Sequence, residues 1–223
     1  MSAECRPYRP VDRDAVVAVF HATLVLGRRL PFRLAGAHEY AELSLGWFLD
    51  AELDRAAVWD DGERVVGYAL AAADLDGLAR AQRRGARALA GVLGRRVAAR
   101  RLDSDSRRFW MARGRDALAL ARRSGREPAR FVGHLNLLSA HRAGVAGRRL
   151  VEHIDRECAV AGHDRWYGEV NAPAGRRRGA IRRYGMDVAW REPNHTLTRL
   201  VGEPVERLVT VRVLDRARRF AAG

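Results

Sequence analysis

The stretch from Leu135 to Glu152, LNLLSAHRAGVAGRRLVE, constrains this chain most. An apolar segment that starts at Phe131 runs into a loop of small residues, and the loop runs into an amphipathic helix over Gly147–Ala161 with Leu150, Val151, Ile154 and Cys158 on its inner face. A short apolar run that ends in such a loop reads as a buried strand, and a strand feeding directly into a helix belongs to an α/β architecture. Small residues let backbone N–H groups approach a ligand closely. The helix start adds unpaired N–H donors and a positive dipole end. Together these make an anion site suited to a pyrophosphate. The residues themselves leave a plain strand-to-helix turn open as the alternative.

The rest of the chain supplies partners for that unit. Cys5–Pro10 reads as a strand. Asp12 then caps a helix carrying Val16, Val17, Val19, Phe20 and Leu24, which Pro31 breaks. A second helix spans His38–Leu53. Ala56–Trp59 and Val65–Leu70 flank Asp60-Asp61-Gly62-Glu63, a strong hairpin signal. Beyond the Leu135–Glu152 unit, Arg165–Asn171 is a strand, Ala174–Tyr184 a helix and Asp187–Arg191 a short strand. A loop containing His195 leads to a closing strand over Val205–Leu214. The order β-α-α-β-β-(insert)-β-α-β-α-β-β predicts one mixed α/β sheet in a single domain over residues 1–223.

Residues 74–129 differ in texture. They hold fifteen Arg against six Asp or Glu, and their apolar residues recur at helical spacing. Two helices are expected, broken near Asp103-Ser104-Asp105-Ser106, where Ser or Asp caps the second. The arginines, in doublets such as Arg83-Arg84, Arg95-Arg96 and Arg100-Arg101, read as spread around a solvated helix. The segment lacks an aromatic residue between positions 80 and 101, which argues against stacking on nucleic-acid bases.

All 41 basic residues of the 223 are Arg, against 27 acidic ones, a formal charge of +14. That excess fits a GC-rich coding bias, an anionic partner or avoidance of self-acylation on Lys, and composition alone does not choose. Two distant cysteines, Cys5 and Cys158, suit a reducing compartment, and no apolar run reaches membrane-spanning length. A cytoplasmic protein is expected, with no membrane partner. The histidines show no metal-ligand spacing with Cys or carboxylates, so no metal is expected.

The loop Arg142-Ala143-Gly144-Val145-Ala146-Gly147 resembles the Q/R-x-x-G-x-G/A loop of the GNAT superfamily of acyl-CoA-dependent N-acyltransferases, with Val145 at a usual Gly position. The following Arg148-Arg149-Leu150-Val151-Glu152, the hairpin and the Tyr184-Gly185-Met186 tail fall in the same order as in that family. The resemblance covers the chain except the insert. It implies a mixed, mostly antiparallel sheet of about seven strands flanked by helices, with the two-helix insert between the third and fourth strands. It also implies acetyl-CoA or another acyl-CoA as co-substrate. Pyrophosphate would lie on Arg142, Ala143, Gly144, Val145, Ala146, Gly147 and Arg148, and pantetheine along Leu137 and Leu138.

The family's late-helix Tyr, which protonates the departing thiolate, aligns with Ile181, so Tyr184, one helical turn later, is the displaced candidate acid. The thioester would lie between the fourth and fifth strands, with a backbone N–H near Leu138 as donor to its oxygen. His134, Asn136 and Leu138 share one face by the two-residue period, as do Tyr167, Glu169 and Asn171. His134 is the candidate base and Glu169 its rival. Asn136 orients water towards the acceptor and Asn171 contacts pantetheine, while His195 borders the acceptor. The expected acceptor is a small-molecule primary amine. Nucleic acid is not the expected partner, and a homodimer is allowed. Competing readings are an Arg-rich nucleic-acid or ribosome-associated protein, and an acyl-CoA binder without turnover.

Overall fold

The computed structural model describes residues 3–122, 127–142, 144–176 and 178–214, apart from the side chains of Arg178 and Ala180. Seven strands form one sheet: β1 (Glu4–Pro7), β2 (Ala57–Asp60), β3 (Val65–Ala72), β4 (Val132–Leu137), β5 (Arg165–Pro173), β6 (Asp187–Pro193) and β7 (Val205–Val213). Their order is β1-β2-β3-β4-β5-β7-β6, antiparallel throughout except between β4 and β5. The mixed, mostly antiparallel sheet with a two-helix insert between the third and fourth strands is therefore as expected. β3 lies at the interior of the sheet, and all eight of its residues are buried. That burial explains its unbroken run of Val, Ala, Leu and Tyr, where a half-exposed strand would alternate with polar residues.

Side chains divide the sheet into two faces. On one, Tyr68, Leu70, Ala72 and Val132 pack with Val16 and Phe20 of helix α1 (Arg13–Thr23) and Leu45, Phe48 and Leu49 of α2 (Ala37–Asp50). On the other, Ala69, Ala71 and Leu137 pack with Leu150, Val151, Ile154 and Cys158 of α5 (Ala146–Val160). The four apolar positions of α5 recur at helical spacing and all are buried, as the sequence pattern required.

The insert forms α3 (Leu75–Ala98) and α4 (Ser104–Ala121), capped by Asp74 onto the Gly77 N–H and by Asp103 onto the Ser106 N–H. It lies on the α1–α2 face. Gly85 of α3 rests on Leu43 of α2, and Phe109 of α4 is buried in the same core. Arg80, Arg83, Arg84 and Arg87 are exposed on the side of α3 away from the buried Leu78 and Leu89, while Arg95 and Arg96, also exposed, continue round to the Leu78 side. The arginines are thus spread around the helix, as their doublets indicated.

Other boundaries differ for identifiable reasons. Asp12 makes no capping bond to α1, because its carboxylate takes two hydrogen bonds from Arg6 and one from the Arg9 N–H. α1 stops at Thr23, whose hydroxyl bonds back to the Val19 and Phe20 carbonyls. α6 is only Arg178–Arg183. The expected loop around His195 contains a helix, α7 (His195–Val201), with Asn194 accepting from the Leu197 N–H and Gly202 left-handed at its end.

The insert is fastened to α7 by one carboxylate. Asp116 of α4 is 2% exposed and accepts from the His195 N–H at 2.8 Å, the Thr196 N–H at 3.1 Å and the Thr196 hydroxyl at 2.6 Å. Asp116→Ala would strand two N–H groups at the start of α7. It should cost about 2–4 kcal/mol of stability in urea denaturation. A loss under 0.5 kcal/mol would show that the insert does not depend on this contact.

Candidate active site

β4 and β5 run parallel, but only Val132 and Tyr167 form a register pair, with the Tyr167 N–H on the Phe131 carbonyl. The contact is close because two glycines meet there: a Cβ on Gly168 would sit 3.0 Å from the Gly133 carbonyl oxygen. Beyond this point the strands no longer pair, and each is held on its far side, β4 by β3 and β5 by β7.

A donor to a thioester oxygen was expected near Leu138; the Leu138 N–H itself is engaged with the Val66 carbonyl at 3.0 Å. Alternate residues of a ladder point their backbone groups to opposite sides. Since Leu138 faces β3 and Phe131 faces β5, Leu135 and Leu137 direct theirs to the β5 side. The donors available to the opening are therefore the Leu135 and Leu137 N–H groups. The Leu137 carbonyl accepts from Arg142 Nε at 3.1 Å.

α5 starts beside this opening. Its first internal bond runs from the Arg149 N–H to the Val145 carbonyl, so the preceding N–H groups of Ala146, Gly147 and Arg148 are not used within the helix. Val145 has ordinary right-handed geometry and an exposed side chain, so valine is accommodated at this position without strain. Gly144 is exposed, and Ala143 lies outside the described residues. A Cβ on Gly147 would come within 2.5 Å of Tyr184 Oη, so this glycine makes room for the phenol at the first turn of α5. Ile181, at the family's Tyr position, is buried among Leu150 and its neighbours. Arg142 turns back over Gly27, whose carbonyl accepts from the Ser139 hydroxyl at 2.7 Å.

The α1–α2 face carries the remaining candidates. His134 is wedged edge-on against Phe48 and Tyr68, with ring centroids 6.0 and 5.6 Å away. Burial pushes its imidazole down to about 4. Asn136 Nδ2 lies 2.6 Å from the Tyr68 hydroxyl and 3.3 Å from His134 Nε2. Tyr68, fully buried, is held well above its ordinary value by burial. On β5, Glu169 pairs with Arg207 at 3.5 Å, and Arg207 also meets the buried Glu192 at 3.2 Å. Burial, with Glu127 and Glu169 nearby, raises the Tyr167 phenol. Asn171 accepts from Asn194 Nδ2 at 2.8 Å, and so braces the start of α7. The His195 side chain is exposed.

Sequence reasoning named His134, Asn136 and Glu169 on this face, and missed Tyr68, Arg113, Asp116 and Arg207. Only Asp116 left a signal there: it is the one acidic residue between Asp105 and Glu127. Among the described residues, no cluster of His, Cys, Asp and Glu could hold a metal, and no helix is long and apolar enough to cross a membrane.

No family model matches the chain, and no curated protein matches its sequence. Its three-dimensional likenesses are extensive. SsHAT aligns with 96% of this chain and 98% of its own length, at 20% identity and a TM-score of 0.63. An N-acetyltransferase from Staphylococcus aureus Mu50 aligns with 96% of this chain and 100% of its own, at 10% identity and 0.53. A GNAT superfamily phosphinothricin acetyltransferase from Sinorhizobium meliloti, in complex with acetyl-CoA, aligns with 96% and 89%, at 14% identity and 0.50. The chain has the GNAT fold.

The His134 environment sets a pH signature. Its ordinary value is 6.5 and its folded value about 4, so below pH 6.5 the unfolded chain binds a proton that the folded one refuses. Stability due to this residue should be complete above pH 6.5 and fall by up to about 3 kcal/mol as the pH drops to 4. In parallel denaturation series, the difference between wild type and His134→Gln should change over that window. A constant difference would show that the imidazole titrates normally.

Proposed function

We propose that this protein is an acyl-CoA-dependent N-acyltransferase acting on a primary amine of a small molecule. One observation carries the reading: the gap between β4 and β5, with backbone donors on the β4 side that no strand takes up, opens beside N–H groups at the start of α5 that no described residue engages. A long, thin ligand with a phosphate at one end and amides along its length matches both features.

The residues fit acyl-CoA, which would supply the acyl group as a thioester. The Ala146, Gly147 and Arg148 N–H groups would hold pyrophosphate, with Arg148 adding charge. Arg142 shapes the loop through the Leu137 carbonyl. Leu135 and Leu137 offer N–H donors to pantetheine amides or to the thioester oxygen, where negative charge develops during attack. Tyr184 Oη, against Gly147, supports a part in holding the phosphates better than a part in protonating the leaving thiolate. The thiolate then takes its proton from water.

The amine nitrogen forms the new C–N bond as the C–S bond breaks, and it must shed a proton. We assign that proton to His134, directly or through a water held by Asn136. The Asn136 amide can face its neighbours in two senses. With Nδ2 towards them it donates to Tyr68 Oη and His134 Nε2, which places the imidazole proton on Nδ1. Turned over, Oδ1 accepts from the Tyr68 hydroxyl and from Nε2–H, and Nδ1 is left as an acceptor. In the structure Nδ2 donates to the Tyr68 hydroxyl at 2.6 Å, and turning the amide over would leave Nδ1 to take the proton. Glu169 is the weaker candidate because Arg207 already holds its carboxylate.

Three measurements test this reading. CoA should raise the melting temperature, and Gly147→Asp, which sets a carboxylate among the phosphate donors, should abolish the shift. An equal shift in the variant would place the cofactor elsewhere. In a thiol-release screen with acetyl-CoA against an amine panel, His134→Gln should lower kcat about 100-fold while CoA still binds. Because the imidazole stays neutral down to about 4, the wild-type rate should show no inflection near pH 6.5 arising from it. A limb at 6.5 that vanishes in His134→Gln would contradict that.

The exposed arginines of α3 favour a second, compatible property. No acidic residue occurs between Asp76 and Asp103, and exposed arginines line the solvent side of the helix. Duplex nucleic acid should bind weakly, with log affinity falling steeply against log salt. Nanomolar, sequence-selective binding at physiological salt would instead make nucleic acid the principal partner.

A further inference from the structure

Arg113, midway along α4, turns inward over the α1–α2 face of the sheet. Its guanidinium carbon lies 5.7 Å from the centre of the Tyr40 ring. That ring is fixed edge-on by Phe20, Phe109 and Trp110 at 5.5, 6.0 and 5.4 Å. Arg113 is half-buried. Tyr40 raises its pKa against the effect of burial, and the carboxylates of Glu169 and Asp116 add to the rise. Those carboxylates are committed elsewhere: Asp116 to the start of α7, and Glu169 to Arg207. Among the described residues, the Arg113 guanidinium meets the Tyr40 side chain, both ring and hydroxyl, and no carboxylate lies within ion-pair distance of it. A half-buried guanidinium that has a phenol but no carboxylate for company keeps N–H donors that an anionic ligand can take up. Its planar fork matches a carboxylate through two parallel N–H···O bonds.

We propose that Arg113 is the carboxylate subsite of the acceptor, so that the substrate amine is amino-acid-like: its carboxylate docks on Arg113 while its amine lies at the β4–β5 opening near His134. This rests on the acyltransferase reading. The single guanidinium, with Glu169 and Asp116 close by, suits a singly charged carboxylate better than a doubly charged phosphate. The position of Arg113 in the insert makes the insert a wall of the acceptor site.

The test uses matched acceptors with acetyl-CoA: phenylalanine against phenethylamine, β-alanine against propylamine, and phosphoethanolamine against ethanolamine, together with the remaining protein amino acids. At least one carboxylate-bearing amine should be favoured about 100-fold in kcat/KM over its partner lacking the carboxylate. Arg113→Gln should raise KM for that acceptor about 100-fold with kcat within a few-fold, erase the discrimination and leave the CoA melting shift intact. Arg113→Lys, which keeps the charge but loses the fork, should recover part of the affinity and controls for folding. Equal turnover of amines with and without carboxylates, preference for the aminophosphate, or an unchanged Arg113→Gln would overturn the subsite while leaving the acyltransferase standing. If no acceptor turns over, melting of the CoA-saturated protein with millimolar amino acids decides. A shift lost in Arg113→Gln supports the subsite, and no shift with any of them sinks it. Failure of CoA itself to bind would instead remove the parent reading.

Discussion

Everything proposed for this molecule depends on a parallel strand pairing that lasts for one residue pair. All seven strands find antiparallel partners, and β5 commits nine consecutive residues to β7. At Gly133 and Gly168 the β4 and β5 backbones come as close as two chains can, because neither glycine carries a side chain into the contact. Past that point β4 is pinned by β3 and β5 by β7, so they cannot close on each other. The outcome is a wedge whose β4 wall carries backbone N–H and C=O groups without a strand opposite. Buried backbone groups are nearly always satisfied. An opening of this kind is stable because water or a ligand bonds its walls.

The insert stands in the same relation to the acceptor side. Two helices added between β3 and β4 could have extended into solvent, since much of α3 beyond Leu89 is exposed. They are instead held at two points. Gly77 and Gly85 let α3 settle onto Trp47 and Leu43 of α2, and Asp116 captures the start of α7. Because Asn194 both caps α7 and donates to Asn171 of β5, the insert, α7 and the β5 wall form one connected framework. A side chain on the inner side of α4 is thereby fixed relative to the strand opening.

How much of this was legible in the sequence follows from the range of each cause. The Leu135–Glu152 unit, the Asp-Gly hairpin and the buried stripe of α5 are local patterns, and the chain folds as they indicate. α7 was missed because seven residues are too few to display a helical period, although its cap Asn194 and its terminal Gly202 were both in view. The candidate base illustrates the opposite limit. His134 could be placed on the correct strand face by counting in twos. Its depressed pKa, however, comes from Phe48 and Tyr68, which other elements deliver to the site. Which N–H near Leu138 faces the opening was out of reach for a similar reason: which residues of β4 face β5 depends on the register with β3, which the sequence of β4 does not contain.

A chain whose every cation is arginine faces a particular difficulty in its interior, since each guanidinium drawn out of water needs acceptors matched to its fork. The structure meets this need repeatedly. Arg6 grips Asp12 through two bonds and Asp60 through two more. Arg212 spans both oxygens of Asp155, Arg207 joins Glu192 to Glu169, and Arg142 uses the Leu137 carbonyl. Against that pattern, the half-buried Arg113 meets the ring and hydroxyl of Tyr40 and, among the described residues, has no carboxylate in ion-pair reach. The stability of the folded chain does not account for it, because a shorter apolar residue packed on Tyr40 would avoid the desolvation cost. What distinguishes Arg113 from the matched arginines is where it points: onto the sheet face that carries His134 and Glu169, where an arriving substrate can provide the missing acceptor.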